Sequence, residues 1–203
     1  MTIKIHRYCE EIIMQQVMES ITHSIRSRRT IRQFNGQPLP KESVIELLRE
    51  AVWAPFHSVK EPWRFILFEG EGRKRFAEAV RKAAPPEKLQ KFGHMLKKQL
   101  CEEIPVHLLV VIQADQPQKK FEDAFAASAA LIQNLQLAAW EKKIGVVWKT
   151  SGYIRNPEFM EMVGVKPNEK IVAALHMGYF DENQIPQPKP RTPVEELLTV
   201  HQS

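Results

Sequence analysis

The sequence predicts an α+β domain, and three observations carry that expectation. Four short apolar runs with strand character are mixed with amphipathic helices, without the strict alternation that builds a doubly wound sheet. One helix, over 120–142, is apolar nearly all round and so suits a central, buried position. The balance of 43% apolar and 26% charged residues over 203 positions is that of a globular chain, which excludes disorder, collagen and coiled coil as its main character. A chain of this length buries roughly 70% of the surface that its unfolded form exposes, so it stands without disulfides or a structural metal.

Residues 1–17 carry Arg7, Glu10 and Glu11 among short apolar pairs. A signal peptide needs an uninterrupted apolar core and a small-residue cleavage site. The segment therefore reads as an N-terminal extension, either an extra helix or a mis-assigned start, ahead of a single domain over 18–203. From Met18, Ile21 and Ile25 lie four apart, the spacing of a helix that runs into a cluster of arginines. Pro38 and Pro40 mark a break. Val44, Leu47, Leu48 and Ala51 then form the stripe of a surface helix, which Pro55 ends.

Phe65–Phe68 reads as a short buried strand. Residues 71–101 are charged and helix-prone, interrupted at Pro85-Pro86. A second strand covers His107–Ile112, and the long helix follows with Phe121, Phe125, Ile132 and Leu135 along it. Gly145–Trp148 is a third strand. Asn156-Pro157 has the form of an N-cap followed by proline at the first helical position. Ile171–Tyr179 is the fourth strand. Pro186, Pro188, Pro190 and Pro193 make the tail extended, and a short helix over 194–199 closes the domain.

Several function classes fall away on composition. No apolar run approaches the 18 or so residues of a membrane span, so no membrane partner is expected. Cys9 and Cys101 form neither a disulfide framework nor a zinc motif and fit a reducing, cytoplasmic setting. Seven histidines show no ligand spacing, and no metal is expected. There is no G-x-G-x-x-G, Walker loop, H-E-x-x-H or G-x-S-x-G. Gly70-Glu-Gly72 reads as a strand-to-helix turn. The net charge of +5 is mild, but Arg26, Arg28, Arg29 and Arg32 fall within seven positions, and anion binding is a local event.

Three segments remain informative. Ser27-Arg28-Arg29-Thr30-Ile31-Arg32-Gln33-Phe34 places two adjacent guanidinium groups and a hydroxyl at a helix end. Such a set suits a phosphate and a sugar chain, and by itself it also suits a solvated basic surface. Ala54-Pro55-Phe56-His57 through Pro62-Trp63-Arg64-Phe65 is a proline-bounded loop leading into a strand, a rigid ledge beside the sheet in which Trp63 reads as a core aromatic. Lys189 and Arg191 stand two apart in the extended tail, on one side of the chain.

Together, S-R-R-T-I-R-Q-F, A-P-x-H-x-x-x-x-P-W-R-F, G-V-V-W-K-T-S-G and the final K-P-R-T-P, in this order and spacing, resemble the FMN-dependent nitroreductase family over about residues 18–200. Within it the chain is most similar to the small bacterial NAD(P)H nitroreductases. The resemblance implies an α/β sandwich with a central, mostly antiparallel sheet flanked by helices. It also implies an intertwined homodimer with two shared FMN sites. Arg28, Arg29 and Thr30 match positions along the flavin's phosphate, ribityl and pyrimidine end, and Arg32 matches a basic position near the pyrimidine. Pro55 and His57 match the ledge that the partner subunit supplies. Trp148, Lys149 and Thr150 match the strand end along the flavin, and Lys189 and Arg191 match a phosphate clamp. Phe56, Val59 and Glu61 depart from the usual ledge residues, so substrate contacts do not carry over.

The activity so implied is ping-pong reduction of nitro compounds, quinones or related small acceptors by NADH or NADPH, with the chemistry on FMN and no catalytic side chain. Two alternatives stand beside it. One is a flavin-binding sensor or chaperone without turnover. The other is a basic nucleic-acid module, disfavoured because no aromatic residue is interleaved between Arg26 and Gln33, so no nucleic-acid partner is expected.

Overall fold

Each of the four apolar runs becomes a strand, and together they make one sheet. The computed structural model describes residues 21–201 except Val59. The N-terminal extension at 1–17 lies outside the described residues. The strands are β1 (Trp63–Phe68), β2 (Val106–Gln113), β3 (Ile144–Lys149) and β4 (Glu169–Tyr179). Their order is β1-β2-β4-β3, and every neighbouring pair is antiparallel.

Helices cover both faces. Residues 21–27 form α1 as far as they are described, followed by α2 (Lys41–Ala51), α3 (Gly72–Ala83), α4 (Pro86–Lys98), α5 (Gln118–Glu141), α6 (Pro157–Met162) and α7 (Val194–Leu197). On one face of the sheet Val106, Leu108, Val110 and Ile112 of β2 meet Val44 and Leu47 of α2 and Leu131, Ile132 and Leu135 of α5. On the other face Leu109 and Val111 meet Phe76 and Val80 of α3 and Phe159 of α6. Two covered faces explain why β2 is apolar without alternation. The result is the helix–sheet–helix sandwich that the family resemblance implies.

Local signals fall where they were read. Gly72 N–H bonds Glu69 O at 2.8 Å in the turn from β1 to α3. Asn156 accepts the Phe159 N–H at 3.1 Å, with Pro157 opening α6. Trp63 is half-buried and packs against the core. The long helix departs from expectation in one respect. It is buried along a single face, through Ala124, Ala127, Leu131, Leu135 and Ala139, and Phe125 stays 45% exposed. The sheet and α2 pack on one side of α5, and among the described residues Phe125 on the other side is left uncovered.

Two glycines dock the segment that follows α1. The Ile31 N–H bonds Val146 O at 3.3 Å and the Asn35 N–H bonds Tyr179 O at 2.9 Å, so residues 31–35 run beside the ends of β3 and β4. A Cβ at Gly145 would stand 2.6 Å from the Ile31 Cβ, and one at Gly178 would stand 2.7 Å from the Pro105 ring. Gly145→Ala is therefore expected to destabilise the fold by about 1–3 kcal/mol through overpacking and to lift Ile31 off β3. Urea unfolding checks the first effect, and increased hydrogen exchange at the Ile31 amide checks the second.

Candidate functional site

The arginine segment is held by hydrogen bonds from α1 and α5 rather than spread over solvent. Ser24 Oγ–H donates to Glu141 Oε1 at 3.0 Å, and the Trp140 indole N–H donates to Ser27 Oγ at 2.9 Å. Arg29 turns back on its own helix. Its Nη1 donates to the carbonyls of Arg26, Ser27 and Arg28 at 2.7, 2.9 and 3.0 Å, which satisfies the open end of α1 and places a cation at its negative pole. Arg28 is half-buried, and its Nη1 lies 3.5 Å from the Gln136 Oε1 on α5.

Arg28, Arg29 and Arg191 come together. Burial first, and then the like charges of Arg29 and Arg191, draw the Arg28 pKa below the ordinary arginine value. The Nε atoms of Arg28 and Arg29 are buried and meet no acceptor, and neither side chain has a carboxylate partner among the described residues. Buried donors in native proteins are nearly always satisfied. Converging cations with unspent donors are completed by an anion with several oxygens, and a phosphate ester is such a group.

The remaining sequence-predicted residues lie around this cluster and beyond it. Thr30 is half-buried next to it, while Arg32 and Lys189 are exposed. Trp148 and Lys149 are half-buried at the end of β3 and Thr150 is exposed. The Trp148 indole N–H is buried and meets no acceptor among the described residues. Pro55 and His57 are exposed on the ledge, where His57 lies 3.8 Å from Asp123 near the start of α5. Beside the ledge is a cavity of about 560 Å³ bordered by Phe56, His57, Trp63, Lys120 and Asp123. A second cavity, of about 640 Å³, touches Thr150, Phe121, Phe125 and Arg155. The ledge is at one end of α5 and the arginines at the other. Asp123 and Gln136 mark the two ends, and a helix rising 1.5 Å per residue separates them by about 20 Å.

The chain matches the nitroreductase family model over residues 25–179. It belongs to the nitroreductase family. It is 40% identical over 198 residues to "Putative NAD(P)H nitroreductase YfhC" of Bacillus subtilis, covering 94% of this chain and 97% of that protein. A nitroreductase-like family protein from Bacillus cereus superposes with a TM-score of 0.85 at 38% identity, over 90% of this chain and 96% of that one. The FMN-dependent nitroreductase NfnB from Mycobacterium smegmatis, solved in complex with NADPH, shares the fold with a TM-score of 0.72 at 18% identity, over 92% and 100% of the two chains.

Sequence reading missed the polar face at the end of α5 formed by Gln136, Trp140 and Glu141. Its one local signal is Gln136 breaking an apolar stripe. Arg64 of the P-W-R-F stretch turns out to have a structural post. Its guanidinium pairs through two nitrogens with the buried Glu169 carboxylate, which ties the start of β1 to the start of β4 and holds Glu169 below the usual carboxylate range. Among the described residues no helix is long and apolar enough to cross a membrane.

Proposed function

We propose that this nitroreductase-family chain is an FMN-dependent oxidoreductase that takes electrons from NADH or NADPH and passes them to nitro compounds, quinones or related small acceptors in a ping-pong cycle. The observation that carries this reading is the converging set of Arg28, Arg29 and Arg191, whose buried Arg28 and Arg29 Nε donors meet no acceptor among the described residues. Membership in the nitroreductase family, with the 40% identical relative named "Putative NAD(P)H nitroreductase YfhC", supports it.

FMN, when bound, supplies hydride acceptance from the nicotinamide and delivery to the acceptor. The chain's own residues supply binding and electrostatics. Arg28, Arg29, Arg191 and Lys189 would hold the phosphate, and Thr30 would take the sugar chain. Arg32 and Lys149 would supply positive charge to the pyrimidine edge, where a fixed cation stabilises charge that develops during transfer. Trp148 and Thr150, at the end of β3, would border the flavin ring.

The dimer belongs to the same proposal. A chain's own ledge stands about 20 Å along α5 from its own arginines, and a two-fold arrangement can bring one chain's Pro55 and His57 to the other's cluster. The tail presents Val194, Leu197, Leu198 and Val200 to solvent, and Trp53 at the end of α2 is 83% exposed. Apolar surface of this kind suits burial against a second copy. Light scattering at micromolar concentration is expected to give a dimer, and a folded, flavin-loaded monomer would refute it. Removing residues 1–17 is expected to leave flavin binding intact, since the family model matches only from residue 25. Loss of flavin from the truncated protein would assign that segment to the site or the dimer.

The experiment for the central reading is optical. Protein reconstituted with excess FMN and desalted is expected to show flavin bands at about one FMN per chain. Anaerobic NADH or NADPH bleaches them, and a nitroaromatic acceptor restores them over many turnovers. A colourless protein refutes FMN binding. A yellow protein that never bleaches supports the sensor or chaperone reading instead.

A further inference from the structure

The buried amide on α5 has chemistry that the arginine cluster needs. Gln136 is 7% exposed and lies on the helix face that also buries Leu135 and Ala139. A polar side chain at such a place is costly unless it meets a partner. Its carbonyl oxygen faces the Arg28 guanidinium, 108 residues away in sequence, at the long end of hydrogen-bond distance.

Arg28 itself is crowded by two like charges, Arg29 and Arg191. Repulsion of that kind swings a flexible cation toward water unless an acceptor holds it. The acceptor present is neutral, and the distinction matters. A carboxylate at this position would hold the guanidinium equally well but would cancel the charge offered to an incoming anion. The bonds from Ser24 to Glu141 and from Trp140 to Ser27 fix the end of α1 against α5 next to the contact. Gln136 and Arg28 therefore approach on a braced frame.

We infer that Gln136 is a positioning residue that aims Arg28 at the cofactor's phosphate while leaving its charge unspent; this rests on the FMN reading above. Gln136 touches no reacting atom in this role, and it acts through Arg28 alone. It should therefore govern recognition of the phosphate and not of the ring.

The test compares FMN with riboflavin, which lacks the phosphate, in fluorescence titrations of the full-length protein. Gln136→Leu removes the acceptor at similar volume and is expected to weaken FMN about fivefold, as a long hydrogen bond to a charged group would. Gln136→Glu keeps the size and the acceptor but neutralises Arg28, and is expected to weaken FMN more than about tenfold. Riboflavin affinity is expected to stay within about twofold of wild type in both. A merely structural role would weaken both flavins in parallel. Parallel loss, or an FMN-to-riboflavin ratio unchanged in both variants, overturns the inference. If the leucine variant fails to fold, the near-isosteric glutamate variant decides alone. Wild-type protein that does not prefer FMN over riboflavin would refute the phosphate reading itself, a separate outcome from failure of the Gln136 variants.

Discussion

Arg28→Ala is expected to weaken FMN binding by about tenfold to a hundredfold, since a charge-assisted hydrogen bond to phosphate contributes roughly 1.5–3 kcal/mol. Arg191→Ala is expected to act in the same range. Neither should slow reduction by NAD(P)H once FMN saturates the site. The phosphate is remote from the reacting ring and keeps its charge through the cycle, so contacts to it are equal in ground and transition states and do not lower the barrier. Arg32→Ala should show the opposite balance, with modest loss of affinity and slower reduction, if its charge serves the pyrimidine edge. Flavin titration followed by rapid-mixing kinetics at saturating FMN separates the two behaviours. A large rate loss in Arg28→Ala with unchanged affinity would overturn the assignment.

The second large effect is acid sensitivity of the fold. His107 on β2 and His176 on β4 face each other across the sheet, and both are buried beside Phe76. The His107 Nε2–H donates to Leu100 O at 2.8 Å, because a carbonyl can only accept. In the neutral ring this leaves Nδ1 bare, and it takes the His176 Nδ1–H at 2.7 Å. Protonating His107 would set two N–H groups against each other. Burial, and the nearby Arg73, lower the His107 pKa to about 4, against the opposing pull of the Leu100 bond. Burial, His107 and Lys149 hold His176 well below its ordinary value.

The folded state thus refuses protons that the unfolded chain accepts near pH 6.5. The stability present above that pH is lost as pH falls toward 4. His107 alone should account for a loss of about 2 kcal/mol by pH 5 and about 3 kcal/mol by pH 4. Urea unfolding between pH 7.5 and 4 measures the slope. The double variant His107→Leu with His176→Leu should flatten it. An unchanged slope in that variant would assign the acid sensitivity to other groups.

Much of the frame was legible in the sequence. The four strands, the break at Pro85-Pro86, the Asn156 cap and the Gly70–Gly72 turn all lie where the residues placed them. The candidate site was legible only in part. The charge density from Ser27 to Arg32 marked a candidate anion site, and Lys189 with Arg191 joined it through the order of motifs rather than through any local property. Arg64 carried no sign that it would be spent on Glu169. Phe125 looked like core because periodicity reports which residues are apolar, and does not report which side a neighbour covers.

The sequence by itself determined the elements and the family, because apolar spacing, proline and glycine placement, and motif order act over a few residues or survive as a linear pattern. The tertiary structure alone decided who meets whom. Arg28 meets Gln136 across 108 residues, Arg64 meets Glu169 across 105, and His107 meets His176 across 69. None of these pairs has a local signature. Each depends on strand order and on the face of a helix turned inward, and those follow from the simultaneous burial of both faces of the sheet. In that packing a glutamine in an apolar stripe becomes a partner for an arginine, and two unremarkable histidines become a buried pair that must stay neutral.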